Sequence, residues 1–155
     1  MNFDKKMQLA SMAILLLLTL HGVTPVQAAT FGHRGKAAQV DRTIRITTLD
    51  ISMDKTRLDV RAGETVRFIV TNKGQLDHEF IIGDAREQTE HEQEMQQMAG
   101  MDMPDESNGI TLKPGQTKIL IWTFGQNGEV EFACHVPGHY SAGMVGKIFV
   151  GAYTK

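Results

Sequence analysis

A chain of 155 residues, 41% of them apolar, suits one compact domain built round a single hydrophobic core and leaves little room for a second. A formal net charge of −2 and a pI near 6.3 give no broad cationic field, which argues against nucleic acid as a partner. The one cysteine, Cys134, rules out an internal disulfide.

In chain order, Lys5 and Lys6 precede an apolar run at 12–20, and small residues follow at Val26, Gln27 and Ala28. This is the layout of a secretory signal peptide covering residues 1–28. The apolar stretch is about half of the ~20 residues needed to span a bilayer, so cleavage after Ala28 or Ala29 is expected, with no integral membrane span after processing and a periplasmic address. Residues 29–41 lack periodicity and are read as a flexible N-terminal arm carrying His33.

From residue 42 the apolar positions tend to alternate in short segments punctuated by Gly, Pro, Asn and Asp. Strands are expected at 43–49, 57–60, 65–71, 79–82, 116–124, 129–133 and 146–150. Turn residues fall at 62–64, 72–74, 113–115 and 126–128, where Gly and Asn supply positive φ. Seven short strands imply an all-β sandwich or barrel occupying residues 42–155. The exception is 84–100, where Asp84 and Glu87 have capping-box spacing and Gly100 offers a stop. An inserted, Met-rich helical segment at 84–105 follows, its Glu and Gln residues read as a solvated face.

The chemistry concentrates in Cys134-His135-Val136-Pro137-Gly138-His139-Tyr140-Ser141-Ala142-Gly143-Met144. A secreted protein meets oxidants, and an unpaired thiol there is either buried and inert or protected as a metal ligand. Thiolate, imidazole and thioether from one loop favour the second reading, because soft sulfur holds Cu(I), imidazole suits both copper states and a weak axial thioether tunes the potential. A second imidazole is available at His78, which follows the turn at 72–74 and opens a strand. Spacing alone does not bring residues so remote together, but a sandwich gathers strand ends at one pole.

These residues, with the upstream Asn-x-Gly-x-x-x-His segment, resemble the type 1 copper site of cupredoxins, the plastocyanin and azurin family, over residues 42–151. The likeness is greatest to small periplasmic cupredoxins associated with bacterial copper resistance, carried by the Arg-Thr-Ile start at Arg42, the helical insertion after His78 and the Val-Pro-Gly-His segment. The resemblance implies a Greek-key sandwich with one type 1 copper ion, in which His78, Cys134 and His139 are equatorial ligands and Met144 is axial. It also implies that the Glu79 backbone N–H donates to the Cys134 sulfur and that Asn72 braces the turn before His78. Four residues separate Cys134 from His139 and four more separate His139 from Met144, a wider loop than in plastocyanin and nearer that of multicopper oxidases. His135 stands where a multicopper oxidase leads towards a trinuclear cluster, for which the other histidines are too few; it is read as a surface residue between copper and solvent.

On the helix, His91, Met95 and Met98 recur at i, i+4 and i+7, with Met101 and Met103 close behind. They either pack the helix onto the sandwich or form a secondary Cu(I) site or a docking surface for a copper donor. No flavin, haem or catalytic-triad motif is visible, so the protein is not expected to be an enzyme; a monomer is expected. Its expected role is copper tolerance by sequestration and Cu(I)/Cu(II) handling, with transient redox or copper-donor partners. The alternative is a dedicated electron-transfer carrier.

Overall fold

The computed structural model describes residues 31–98, 101 and 103–151. The processing segment at 1–28, the first residues of the expected arm and the helix stop at Gly100 lie outside the described residues. The elements run β1 (Gly32–Arg34), a 3-10 turn (Ala37–Gln39), β2 (Arg42–Leu49), β3 (Ser52–Met53), β4 (Arg57–Val60), β5 (Thr65–Asn72), β6 (His78–Gly83), α1 (Ala85–Gln97), β7 (Gly109–Leu112), β8 (Thr117–Phe124), β9 (Gly128–Ala133) and β10 (Val145–Val150). They form two five-stranded sheets, in the orders β1-β8-β5-β2-β3 and β4-β10-β9-β6-β7. This is the expected all-β sandwich with one helix after the strand that begins at His78.

Strand periodicity puts alternate residues on opposite faces, and that alone explains most of the core. In β5, Val66, Phe68 and Val70 are buried while Arg67, Ile69 and Thr71 are half-exposed; in β8, Leu120, Trp122 and Phe124 are buried while Ile119 faces water. Phe80 links the sheets, with its ring centroid 5.3 Å from Phe68 and 5.5 Å from Phe132. Each such ring removed from water contributes about 1.5–3 kcal/mol. Strand β6 departs from alternation because all six of its residues are buried. Phe80 and Ile82 join the core between the sheets, and α1 packs against β6 and β9.

The helix starts as its spacing predicts. The Asp84 carboxylate accepts hydrogen bonds from the backbone N–H groups of Arg86 (3.0 Å) and Glu87 (2.9 Å). The Glu87 carboxylate accepts from the Asn108 side-chain amide (3.1 Å), tying the helix start to the segment before β7. The helix ends at Gln97, three residues before Gly100, where the Met98 N–H closes on the carbonyls of Glu94 and Met95. Among the described residues no helix is long and apolar enough to cross a membrane.

Residues 31–41 correct the expectation of a loose arm. β1 pairs antiparallel with β8, Phe31 stacks on Trp122 with centroids 5.6 Å apart, and the Arg34 guanidinium donates to the carbonyls of Ser107 (2.9 Å) and Gly109 (3.0 Å). Gly32 sits at φ +139°, and a Cβ there would strike the Thr123 carbonyl and the Trp122 indole. A three-residue strand is too short to show a period, and so are β3 and the four residues of β7, which the alternation did not reveal.

A second close approach is testable. A Cβ at Gly146 in β10 would enter the ring of Phe132 on β9, inside the core. Gly146→Ala is expected to lower stability by about 1–3 kcal/mol through overpacking, read as a lower denaturant midpoint at unchanged m-value.

Candidate metal centre

The turn that delivers His78 is organised by a buried amide. Asn72 donates through Nδ2 to the carbonyls of Leu76 (2.7 Å) and Leu112 (3.3 Å), while its Oδ1 accepts the Gly74 N–H (2.9 Å). The Lys73 N–H donates to the Thr48 carbonyl (2.9 Å), and the Gln75 N–H to the Asp50 carboxylate. The bracing role that the resemblance implied for Asn72 is therefore present, and the first residue after this braced turn is His78, at the head of β6.

The other three candidate ligands sit on the loop between β9 and β10. The Cys134 N–H donates to the Met144 carbonyl (3.1 Å), the Met144 N–H to the His139 carbonyl (3.0 Å), and the His139 N–H to the Val136 carbonyl (2.9 Å). Gly138 at φ +90° and Gly143 at φ +92° make the reversals that a side chain would strain. These bonds connect all three donor residues directly, so the loop is held from within as well as by the Val145–Ala133 register at its base.

The side chains converge. His139 Nδ1 lies 3.4 Å and His78 Nδ1 3.7 Å from Cys134 Sγ, and the three donor atoms all fall within 4.8 Å of one another. Metal–nitrogen and metal–sulfur bonds of about 2.0 and 2.3 Å, spread at trigonal to tetrahedral angles, place N and S about 3.5–3.7 Å apart. The present spacing thus fits one ion touching all three. Met144 is buried at the end of the same loop. Two imidazoles, one thiol and a weak thioether are the donor set that suits copper.

Burial sets the protonation of these three groups. It pushes the Cys134 thiol up to about 12, against the pull of the Glu79 and Val136 backbone N–H groups. Burial also lowers His78, helped by His139 and opposed by Asp50 and Asp77, and it lowers His139 against Asp50. In the apo-protein at neutral pH the site is a neutral thiol facing two neutral imidazoles. The Glu79 N–H lies 3.3 Å from Cys134 Sγ, as the resemblance implied, ready to stabilise the thiolate.

Behind the loop is a buried polar layer that the sequence reading missed. His135 is fully buried, which corrects its reading as a surface residue: Nδ1 lies 2.7 Å from Glu92 Oε2, Nε2 lies 2.6 Å from Gln88 Oε1, and the ring stacks on Tyr140 with centroids 4.6 Å apart. Gln88 also donates to the carbonyls of Ile81 (3.3 Å) and Glu131 (3.2 Å). Glu79 extends the layer, its Oε2 accepting the His135 N–H (3.3 Å) and facing His91 Nε2 at 3.4 Å. The signal was available in the spacing of Gln88, His91, Glu92 and Met95 along one face of α1.

His91 does not join the methionines. Its second nitrogen, Nδ1, lies 3.4 Å from Glu106 Oε1, so both ring nitrogens face carboxylates. Burial lowers its pKa, but Glu79, Glu106 and Glu94 outweigh burial and the net shift is upward. Met95, Met98, Met101 and Met103 do come together, lining one pocket with Val136 and Pro137 of the ligand loop.

Two outcomes follow from these protonation states. Copper binding to the apo-protein at neutral pH is expected to release one proton, from the thiol, since both imidazoles are already neutral; calorimetry in buffers of different ionisation enthalpy reads it. For His91, whose folded pKa is raised, the stabilisation is complete below its ordinary value of 6.5 and lost as pH rises through the folded value. The apo-protein Tm should therefore fall as pH rises above that value, and His91→Gln should flatten the fall.

Comparison with known proteins agrees with this geometry. The sequence signature of the family described as copper binding proteins, plastocyanin/azurin family, matches residues 39–151. The copper-resistant cuproprotein CopI of Pseudomonas aeruginosa is 34% identical over 96% of this chain and 98% of its own length, and that of Rubrivivax gelatinosus is 40% identical over 77% and 73%. The fold is similar to that of auracyanin from the photosynthetic bacterium Roseiflexus castenholzii, with a TM-score of 0.63 at 24% identity over 73% of this chain and 99% of that one. With the matched segment spanning both sheets and every candidate ligand, the chain belongs to the plastocyanin/azurin family of copper-binding proteins, the cupredoxins.

Proposed function

We propose that this cupredoxin is a periplasmic copper-tolerance protein that captures copper through His78, Cys134, His139 and Met144 and handles it in both oxidation states. The observation that carries the reading is the approach of Cys134 Sγ to two imidazole Nδ1 atoms in a buried cluster. The CopI relatives, named as copper-resistant cuproproteins, support the tolerance role. The signal-peptide layout of residues 1–28 supports the periplasmic address.

Copper bound here supplies a one-electron Cu(I)/Cu(II) couple. The residues set the terms of that couple. Asn72 fixes the turn before His78, the internal bonds of the loop fix Cys134, His139 and Met144, and the Glu79 N–H neutralises part of the thiolate charge. A ligand frame held by backbone bonds on both sides has little freedom to rearrange between oxidation states. His139 keeps 5% exposure where His78 and Cys134 have none, so its imidazole edge is the shortest way for an electron to reach a docked partner. That edge equally serves a dedicated electron-transfer carrier, the second reading.

The Cu(II)-loaded protein is expected to show an intense visible thiolate-to-copper band that Cys134→Ser abolishes. In a host lacking its own copper-tolerance cupredoxin, the wild-type gene should restore growth on copper and Cys134→Ser should not. A loaded wild-type protein without the band would remove the thiolate from the site. Restored growth by the Cys134→Ser variant would separate tolerance from this centre and leave the carrier reading. Recovery of the mature chain outside the periplasmic fraction would overturn the address.

A further inference from the structure

We propose that Met95, Met98, Met101 and Met103 form a second, Cu(I)-selective site in the pocket between α1 and the ligand loop, with His91 excluded from it. The proposal builds on the copper-tolerance reading but stands on separate residues. The pocket encloses about 370 Å³, and four of the six methionines among the described residues line it, the others being Met53 and Met144.

Packing alone does not account for this arrangement. A methionine that merely fills the interface between helix and sheet is expected to be buried against apolar neighbours. Met95 is, at 3% exposure, but Met101 is 62% exposed and Met98 and Met103 are half-buried round an open space. The remaining wall is mostly polar: Asp77, Glu79, Thr111 and Lys113, with Val136 and Pro137 from the loop. Thioethers gathered at such an opening have little hydrophobic purpose.

Their chemistry points to a soft monovalent ion. Neutral thioethers bind Cu(I) and discriminate against divalent ions that prefer imidazole or carboxylate. Negative charge nearby suits an added cation without supplying hard ligands at its centre: Lys113 is paired with Asp77 at 2.8 Å, and Glu79 Oε2 is engaged by His91 and the His135 N–H. His91 does not line the pocket, and both its ring nitrogens are taken up by Glu79 and Glu106, so this imidazole is withheld from it. Val136 and Pro137 lie between Cys134 and His139 in the chain, and Asp77 and Glu79 flank His78, so the two sites share walls. A tolerance protein so built holds one copper at the thiolate centre and a second, as Cu(I), beside it.

The test is anaerobic titration of the reduced, one-copper protein with further Cu(I) in competition with bicinchoninate, alongside NMR of 13C-labelled methionine methyl groups. Wild type is expected to retain a second equivalent and to shift the methyl signals of Met95, Met98, Met101 and Met103 while Met53 stays still. Replacing all four by Leu, close in volume, should abolish that equivalent and leave the visible band of the Cu(II)-loaded first site unchanged. The pair Met98→Leu with Met101→Leu, which spares the buried Met95, should weaken it and serves as the deciding variant if the quadruple one fails to fold. His91→Gln should retain it. Retention of one equivalent only by wild type, or of two by the quadruple Leu variant, would overturn the site; loss in His91→Gln would overturn the exclusion of that imidazole. The visible band reports the first site throughout, so failure of either reading is seen separately.

Discussion

The structure depends on holding a thiol and two imidazoles together in a buried pocket that only the His139 edge opens to solvent. Buried polar groups cost free energy unless they are partnered; the Cys134 sulfur meets both imidazole Nδ1 atoms and the Glu79 N–H, while His78 Nε2 is buried without a hydrogen-bond partner. Burial therefore favours the neutral thiol in the apo-protein, and backbone bonds on either side hold the cluster together. A frame of this kind separates ligand placement from metal binding.

Two scaffolds meet at that frame. One is the sandwich, whose aromatic contacts across the sheets fix where β6 and β9 end. The other is the polar layer beneath α1, in which Gln88, Glu92, His91, His135 and Glu79 satisfy one another with little water. Glu79 belongs to both: its backbone N–H reaches the Cys134 sulfur while its carboxylate takes the His135 N–H and faces His91. Such networks are stabilising when every member is partnered and costly when one is removed. The helix is thus joined mechanically to the copper loop, and Met98, Met101 and Met103, which follow it, open beside the same loop.

The site itself was largely legible in the chain. Cys134, His139 and Met144 lie in one loop with Pro and Gly between them, so their proximity is local, and the strands that carry them alternate over enough residues to show a period. Asp84 announced its helix for the same reason. What stayed hidden was short or remote. Gly32–Arg34 is too brief to alternate, and its hold on the fold comes from Trp122 and from carbonyls beyond residue 105. His135 read as a surface residue because the helix face that covers it, with Gln88 and Glu92, lies 47 and 43 residues away in the chain.

By itself, the order of residues determined the local rules: which segments alternate, where glycine permits reversal, which donor types share a loop, and that the ligand set is one copper prefers. Those properties depend on neighbours within a turn or a strand. Only the tertiary structure decided that His78 meets Cys134, that His91 faces two carboxylates and does not line the methionine pocket, and that Gly32–Arg34 join a sheet. Each of those outcomes is set by contacts between segments far apart in the chain, whose geometry exists only once both sheets and the helix have packed.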